Sequence, residues 1–155
     1  MSADSPDPFA KGLNPFICFA VYSANLAFSR VYKPFLDELG LTYPQYLALI
    51  SLWAEDDQTV GQLGEKLFLE SNTLTPLLKR LEGLGHVERN RDPQDERQVR
   101  VRLTAKGKAL RENARCVPEG ILAASGTEFD ALRKLSADIT SLRERLLAAD
   151  SKTPR

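Results

Sequence analysis

The chain has 155 residues, of which 21 are basic and 21 acidic, so its formal charge at pH 7 is zero. This length predicts one domain, with or without an appended oligomerisation element. Hydrophobic residues make up 43% of the chain, which is enough to fill a core and excludes disorder throughout. Two cysteines exclude a disulfide scaffold and a single histidine argues against a zinc site, so we expect no metal or other cofactor.

The stretch Phe16–Phe28 is apolar enough to be mistaken for the core of a signal peptide. The residues before it include Asp4 and Asp7, opposed only by Lys11, whereas a signal peptide begins with positive charge. No apolar run reaches the ~18–20 residues that span a bilayer. We therefore expect a cytoplasmic protein without a membrane partner, whose cysteines stay reduced unless they serve redox chemistry.

Helical spacing dominates the sequence as far as residue 84, after which the period changes to two. The polar segments 1–11 and 151–155 are predicted to be flexible tails. The predicted helices cover about 14–40, 42–54, 59–67 and 71–84, the predicted strands cover 87–89 and 98–103, and further helices extend from 105 to 149.

Capping signals predict where the first helices begin and end. Asn14 is expected to cap the first helix, Pro34 to kink it and Gly40 to end it. Thr59 followed by Gln62 is a capping box, which predicts the start of a short third helix.

Apolar side chains indicate how the middle of the chain packs. In the fourth helix they recur at the i, i+3, i+4 and i+7 spacing of a helix on a core, and in the second strand they alternate with polar residues. Towards the end of the chain, Thr127 is predicted to cap the last helix. The apolar positions are Leu74, Leu77, Leu78 and Leu81 in the helix and Val99, Val101 and Leu103 in the strand.

The order helix, short helix, second helix and β-hairpin is the plan of a winged helix-turn-helix. In such proteins the second helix lies in the major groove of DNA, where its early residues face base edges and Lys and Arg reach phosphates. The predicted DNA-contacting residues of this helix are Ser71, Asn72, Thr73, Thr75, Lys79 and Arg80.

The hairpin adds positive charge. Ten basic and five acidic residues lie between Lys79 and Arg111, so the rest of this neutral chain carries a net charge of −5. A concentrated basic module in a neutral protein fits a nucleic-acid reader, although these arginines could instead coat a solvated sheet face. The hairpin arginines are Arg89, Arg91, Arg97, Arg100 and Arg102.

Residues 71–107 resemble the DNA-binding core of the MarR family of bacterial regulators. They carry the wing pattern Asp-x-x-Asp-x-Arg, at Asp92, Asp95 and Arg97, followed by Leu-Thr-x-x-Gly. The resemblance implies that Arg97 enters the minor groove and that Asp95 helps to orient it. Arg91, one of the basic residues of the same hairpin, is a further predicted DNA contact.

The resemblance covers about residues 13–148 and implies a mainly α fold with a small β-hairpin wing. Two chains would intertwine as a homodimer and bind a pseudo-palindromic operator in double-stranded DNA. Residues 12–150 would form a single domain, with dimerisation helices at 12–40 and 107–150 and the winged helix-turn-helix at 42–104.

The N-terminal helix resembles the branch of that family that senses organic hydroperoxides. That branch carries a cysteine early in the helix and tyrosines fourteen and twenty-five residues later, and this chain has Cys18, Tyr32 and Tyr43. Backbone dipoles in the first helical turn favour a Cys18 thiolate, whereas its apolar neighbours oppose it. Hydrogen-bond donors such as tyrosine hydroxyls must therefore supply the rest of the activation.

Cys18 and Tyr32 share one face of a helix but lie ~21 Å apart along it, so they cannot meet within one chain. The branch implies that Tyr32 and Tyr43 arrive from the partner subunit. Tyr22 lies one turn after Cys18 on the same face. We expect Tyr22 to pack in the core, and a part in sensing is the alternative.

The second cysteine, Cys116, does not lie where the branch places a resolving cysteine. The resolving cysteine of some members of the branch would fall near residues 122–124, where this chain has none. We expect Cys116 to be a bystander, with a resolving thiol as the alternative, so that a low-molecular-weight thiol caps oxidised Cys18. His86, at a helix-to-strand turn, is expected to be structural or to contact a phosphate.

These features predict a dimeric DNA-binding repressor that senses organic hydroperoxides by oxidation of Cys18 and then releases its operator. A MarR-type repressor that is released by a small aromatic ligand, with Cys18 inert, is the alternative. A thiol peroxidase gives the basic winged module no role, so we do not expect an enzyme. Repression, as opposed to activation, rests on the resemblance alone.

Overall fold

A computed structural model describes residues 7, 9 and 11–151, so most of the two predicted tails lies outside the described residues. The chain forms two compact units, the first ending at Val117 and the second beginning at Pro118. In order, the elements are α1 (Ile17–Leu39), α2 (Tyr43–Ala54), β1 (Gln58–Thr59), α3 (Val60–Leu67), α4 (Ser71–Gly83), β2 (Val87–Arg91), β3 (Val99–Leu103), α5 (Ala105–Asn113), α6 (Cys116–Ser125) and α7 (Phe129–Asp150).

The N-terminal cap of helix α1 lies two residues later than predicted. The cap residue is Phe16, whose carbonyl oxygen accepts from the amides of Phe19 and Ala20, each at 3.1 Å, and the prediction that Asn14 caps the helix is wrong. The reason is a turn ahead of the helix, in which the Phe16 amide donates to the Leu13 carbonyl at 3.1 Å. As predicted, α1 ends at Gly40, which adopts a left-handed φ of 66°.

Side-chain caps begin both α2 and α3, of which only the one at α3 was predicted. The Thr42 amide donates to Gln45 Oε1 at 2.9 Å at the start of α2. At the start of α3, Gln62 N donates to Thr59 Oγ1 at 3.1 Å and Thr59 N donates to Gln62 Oε1 at 2.8 Å. The predicted capping box is therefore confirmed, and it satisfies two backbone donors that the helix itself leaves without partners.

Leucines from several helices fill the core of the first unit. Leu49, Leu63, Leu74, Leu78 and Leu81 have no exposed surface. The apolar face predicted for α4 is therefore confirmed, except that its fourth member, Leu77, is only half-buried. Full burial of such side chains is the main stabilising contribution to the winged module.

The predicted hairpin is present, but it belongs to a three-stranded antiparallel sheet in the order β1-β3-β2. Strands β2 and β3 pair from Val87 opposite Leu103 to Arg91 opposite Val99. The edge strand β1 places Gln58 opposite Val101 and was not predicted, because a strand of two residues is too short to show alternation.

Helix α5 begins against the turn between α4 and β2. Thr104 Oγ1 accepts from Gly107 N at 3.0 Å and donates to the Gly85 carbonyl at 2.6 Å. A methyl group at Gly107 would overlap the carbonyl oxygen of His86. The Leu-Thr-x-x-Gly pattern therefore supplies both a helix cap and the close backbone approach that only glycine permits.

The helical region after the wing is broken at residues 126–128, ahead of the helix that Thr127 was predicted to cap, and also at residues 114–115. Helix α7 starts after Glu128, and the prediction that Thr127 caps it is wrong, because Thr127 Oγ1 donates to the Ser125 carbonyl at 3.1 Å. The described part of α7 has no buried residue. No helix among the described residues is long and apolar enough to cross a membrane.

Candidate DNA interface and thiol site

The exposed face of α4 carries the residues that were predicted to contact DNA. Buried leucines hold the opposite face against the core, so the polar side chains stand towards solvent. Ser71, Asn72, Thr73, Lys79 and Arg80 are exposed, and Thr75 is half-buried.

A tight turn sets the position of α4 relative to α3. Phe68 adopts a left-handed φ of 56°, and the Leu69 amide donates to the Gly64 carbonyl at 3.0 Å. A methyl group at Gly64 would lie 2.8 Å from the Leu69 carbonyl oxygen, so glycine allows the turn to close. The two helices therefore form the helix-turn-helix that the sequence predicts.

Three of the five hairpin arginines are held by carboxylates of the protein itself. Arg100 Nε lies 2.7 Å from Asp92 Oδ2, and Arg102 Nε lies 2.9 Å from Asp57 Oδ1. Hydrogen bonds from Arg102 are the main reason why the pKa of Asp57 is lowered. Arg89 likewise pairs with Glu82, at 2.8 Å. These side chains attach the wing to the rest of the module.

Unlike these three arginines, Arg97 at the wing tip is not paired with a carboxylate of the described chain. Its side chain is exposed, and within the part of the chain that the structure describes no hydrogen bond or ion pair involves its guanidinium. Asp95 Oδ1 accepts from the Arg97 amide at 3.1 Å, and Asp95 Oδ2 accepts from Gln98 Nε2 at 3.1 Å. Asp95 thus orients Arg97 through the backbone of the turn. Arg91 is also exposed and donates to the Glu96 carbonyl at 3.2 Å.

Cys18 is the second residue of α1, and its thiol is free and exposed. The first turn of a helix presents amide groups without intrahelical partners, and these favour an anion. Because α1 begins at Ile17 and not at Asn14, Cys18 lies closer to these amides than the sequence suggested.

Three tyrosines cluster where α1 and α2 meet. The ring centroids of Tyr32 and Tyr43 are 4.8 Å apart, and those of Tyr32 and Tyr46 are 6.3 Å apart. Burial, and then the neighbouring Tyr43 and Tyr46, raise the pKa of Tyr32 to about 12. Tyr32 therefore stays protonated near neutral pH and remains a hydrogen-bond donor.

Comparisons with known proteins agree with this arrangement. Residues 30–113 match the family described as "Transcriptional regulator SarA/Rot". The chain is 46% identical to the HTH-type transcriptional regulator TtmR of Methylorubrum extorquens, over 92% of this chain and 73% of that protein. It is 43% identical to the organic hydroperoxide resistance transcriptional regulator of Bacillus subtilis, over 84% of this chain and 88% of that protein. Its fold is similar to that of reduced AbfR bound to DNA, with a TM-score of 0.74 and 37% identity over 87% and 94% of the two chains.

The chain belongs to the MarR family of transcriptional regulators, in the branch of the organic hydroperoxide resistance regulators. Its relatives are regulators that bind DNA and not enzymes. The resemblance that the wing pattern and the cysteine–tyrosine intervals indicated is therefore confirmed, as is the mainly helical fold with a small wing.

Within this MarR-type fold, the structure assembles only part of the predicted thiol site. Tyr32 and Tyr43 lie together, but α1 is continuous between Cys18 and Tyr32, so these two residues are separated by ~21 Å along the helix axis and do not meet within one chain. Tyr22 is 60% exposed, so the expectation that it packs in the core of its own chain is wrong. Any packing partner of the Tyr22 ring must therefore come from outside the protomer.

Cys116 and His86 differ in exposure. Cys116 is exposed at the start of α6, and its thiol donates to the Asn113 carbonyl at 3.3 Å. His86 is buried, which agrees with a structural role and not with a phosphate contact. Burial and the nearby Lys106 ammonium lower the pKa of His86, so the imidazole is held neutral.

Sequence reasoning missed Tyr46, which is buried between Tyr32 and Trp53. Burial raises the pKa of Tyr46, as do the nearby Tyr43 and Cys116. The available signal was the i, i+3 spacing of two tyrosines on α2. Beside this cluster lies a cleft of about 200 Å³, lined by Asn25, Phe28, Ser29, Tyr32 and Tyr43.

Proposed function

We propose that this regulator is a homodimeric repressor that senses organic hydroperoxides through Cys18 and releases its operator when Cys18 is oxidised. The observation that carries the proposal is the pairing of Tyr32 and Tyr43 beside an open cleft, in a chain that exposes a thiol at the first turn of α1. The phenols are suitable donors for a thiolate or a peroxide oxygen.

Relatives support thiol chemistry as the signal. The Bacillus subtilis relative is an organic hydroperoxide resistance regulator. AbfR has structures in reduced and overoxidised forms bound to DNA, and in a disulfide form. The chain is 36–37% identical to these forms of AbfR.

The exposed apolar surface supports the dimer. On α1, Ile17, Val21 and Leu26 are at least 39% exposed, and no charged residue lies between Ile17 and Ser29. Surfaces of this kind mark sites of association. In the proposed dimer, residues 12–40 and 107–150 pair with their counterparts, and two winged modules, 42–104, face successive half-sites of an operator.

The sensing step is a nucleophilic displacement at the peroxide. The Cys18 thiolate attacks the terminal oxygen of R–O–OH, the S–O bond forms as the O–O bond breaks, and the leaving alkoxide takes a proton from solvent to become the alcohol R–OH. Cys18 is left as a sulfenic acid. A low-molecular-weight thiol then attacks the sulfur, so that a disulfide forms and water leaves. Apolar side chains at Phe16, Ile17, Phe19 and Phe28 favour an organic peroxide.

Oxidation is transmitted through the tyrosine pair. Tyr43 is the first residue of α2, and α2 packs on α4. A bulky group on Cys18 displaces the partner's Tyr32 and Tyr43, which shifts α2 and with it the α4 helix that lies in DNA. The two modules then lose the spacing of about one DNA turn, ~34–36 Å, that a palindromic operator requires.

The proposed DNA contacts follow the exposed polar residues. Ser71, Asn72, Thr73 and Thr75 face base edges or nearby phosphates from the start of α4. Lys79 and Arg80 reach phosphates, and Arg91 and Arg97 contact the backbone and minor groove from the wing, with Asp95 holding the turn.

The proposal is tested by operator binding, measured by fluorescence anisotropy on DNA flanking the gene. Cumene hydroperoxide should release wild type and Cys116→Ser, and release should need far less of it than of hydrogen peroxide. Cys18→Ser should bind the operator as wild type does and ignore both oxidants. Release of Cys18→Ser by the peroxide would overturn the sensor role of Cys18. Loss of response in Cys116→Ser would show instead that Cys116 resolves the sulfenic acid.

A further inference from the structure

Helix α4 begins from an acidic residue that was not among the predicted DNA contacts. Glu70 is the cap residue of α4, and its carbonyl oxygen accepts from the amides of Thr73 at 3.0 Å and Leu74 at 2.9 Å. Its backbone is therefore fixed at the end of the helix that bears the predicted base contacts, and its side chain is exposed there.

The carboxylate of Glu70 has no partner within the described residues. It makes no capping hydrogen bond to the first turn of α4, and no other hydrogen bond or ion pair of the described chain involves it. Other carboxylates of the winged module are engaged, since Asp92 holds Arg100 and Glu82 holds Arg89. Both carboxylate oxygens of Glu70 are thus available to a molecule outside the protein.

Helix capping does not account for a glutamate at this position. Ser, Thr, Asp and Asn cap helices well because their short side chains reach the first amides, whereas the side chain of Glu70 makes no such bond. A carboxylate near a helix N-terminus does gain from the helix dipole. That effect is independent of the DNA that is bound, so it predicts the same contribution for every operator sequence.

Repulsion from phosphates makes a carboxylate at this end of α4 costly unless it finds a donor. Lys79 and Arg80, the basic residues of α4, lie nine and ten residues after Glu70, which is ~13–15 Å along the helix axis. This distance exceeds the Debye length of about 8–10 Å, so these cations do little to offset the charge of Glu70. A hydrogen bond from a base would offset it directly.

The donors of the major groove select one base for a carboxylate. Amino groups are presented there only by cytosine, through N4, and by adenine, through N6. Adenine places the acceptor N7 beside its amino group, so it repels the second carboxylate oxygen, whereas cytosine presents no acceptor. The hydroxyls of the neighbouring Ser71 and Thr73 suit either donors or acceptors. Glu70 is therefore suited to select cytosine at the position that it faces.

We infer that Glu70 accepts a hydrogen bond from the N4 amino group of a cytosine in the major groove, once in each half-site of the operator. The inference rests on the proposed DNA contacts of α4 and adds a base preference to them. Glu70 is then a specificity-determining residue. Its contact raises discrimination among operators more than affinity, because repulsion from phosphates offsets part of the hydrogen bond.

Base-pair substitution through one half-site tests the inference, with the reduced full-length chain and DNA anisotropy. In wild type, one position should prefer cytosine, and replacing that cytosine should weaken binding about 5- to 100-fold. Glu70→Ala should bind all four bases at that position about equally. Glu70→Gln should prefer adenine there, because an amide pairs with both N6 and N7 of adenine.

Removal of the amino group alone gives the sharpest form of the test. A 2-pyrimidinone base, which is cytosine without its N4 group, should weaken binding by wild type and leave binding by Glu70→Ala unchanged. Glu88, which is exposed on β2, supplies the matched control. Glu88→Gln removes the same charge from the winged module and should change affinity by one factor for every operator, with no change in base preference.

Two results would overturn the inference. One is a Glu70→Ala variant whose affinity changes by the same factor for every base at every position, which is the result expected from the helix dipole alone. The other is a Glu70→Gln variant that keeps the wild-type base preference throughout. The sensor is tested separately, because operator binding that ignores cumene hydroperoxide would count against the role of Cys18 and leave the contact of Glu70 standing.

Discussion

The rings of Tyr32 and Tyr43 lie 4.8 Å apart at an interplanar angle of 54°, although the two residues belong to different helices. Burial raises the pKa of Tyr32, and the neighbouring Tyr43 raises it further. The donor pair is thus assembled within one chain before any thiol reaches it. In the proposed dimer, association with a second chain need only deliver Cys18 to a pair of donors that is already built.

The first prediction concerns this pair. Tyr43→Phe removes one cause of the raised pKa of Tyr32, while burial, the largest cause, remains. The pKa of Tyr32 should fall from about 12 but stay above the ordinary value of ~10. Tyrosinate absorbance during an alkaline titration measures it. Tyr22→Phe is the control and should leave the tyrosine titration step of highest pKa unchanged. If that step is also unchanged in Tyr43→Phe, Tyr43 does not contribute to the raised pKa of Tyr32.

The second prediction separates two wing arginines by their partners. Arg97→Ala should weaken operator binding about 10- to 100-fold, because a contact to DNA is lost. For the same reason, the slope of log K for operator binding against log salt concentration should become shallower by about one unit. Its urea midpoint should not move, since nothing in the described chain holds the guanidinium.

Arg100→Ala is the matched comparison. It leaves Asp92 and Asp57 without a shared partner, so the urea midpoint should fall and the wing should loosen. Binding would weaken with little change in salt slope. If Arg100→Ala keeps the urea midpoint of wild type but makes the slope of log K against log salt concentration shallower by a full unit, Arg100 contacts a phosphate directly.

The third prediction concerns the approach of α5 to the turn before β2. Gly107→Ala places a methyl group on the His86 carbonyl oxygen and should cost roughly 1–3 kcal/mol in the free energy of unfolding. Gly61→Ala is the control, because its methyl group would meet only Thr59 Oγ1, at 3.8 Å. That change should stabilise α3 by up to about 1 kcal/mol. Equal urea midpoints for the two variants would contradict the close approach.

The fourth prediction is a pH dependence from the single histidine. The folded pKa of His86 lies below its unfolded value of ~6.5, so the unfolded chain binds the extra proton. The stabilisation is complete above pH 6.5 and is lost as the pH falls from there through the folded pKa. His86→Gln should remove this part of the slope of unfolding free energy against pH. An imidazole NMR titration with a midpoint at or above 6.5 would contradict the assignment.

Sequence patterns located the winged module because its signals are local. The capping pair Thr59 and Gln62, the leucine face of α4 and the wing pattern each depend on neighbours within a few residues. Asn14 failed as a cap because a competing turn ends at Phe16, and β1 was missed because two residues show no period.

Only those parts of the candidate thiol site that show as fixed intervals between residues could be predicted from the sequence. The intervals from Cys18 to Tyr32 and Tyr43 are visible in the sequence, but the contact between the two tyrosines depends on how α1 packs on α2. Tyr46 carries no such interval and emerges only from its burial against Tyr32 and Trp53. The partners of the wing arginines are likewise not visible in the sequence, since only the structure shows that Asp92 holds Arg100 and that no carboxylate of the described chain holds Arg97.

The most direct test of the account is a titration of the operator complex with cumene hydroperoxide, in the presence of a low-molecular-weight thiol. DNA anisotropy and the mass of the Cys18 peptide are followed in the same aliquots. The account predicts that release tracks oxidation of Cys18 and is complete when each Cys18 has reacted once. An operator that stays bound after Cys18 is fully oxidised, or that is released while Cys18 is still reduced, would contradict it.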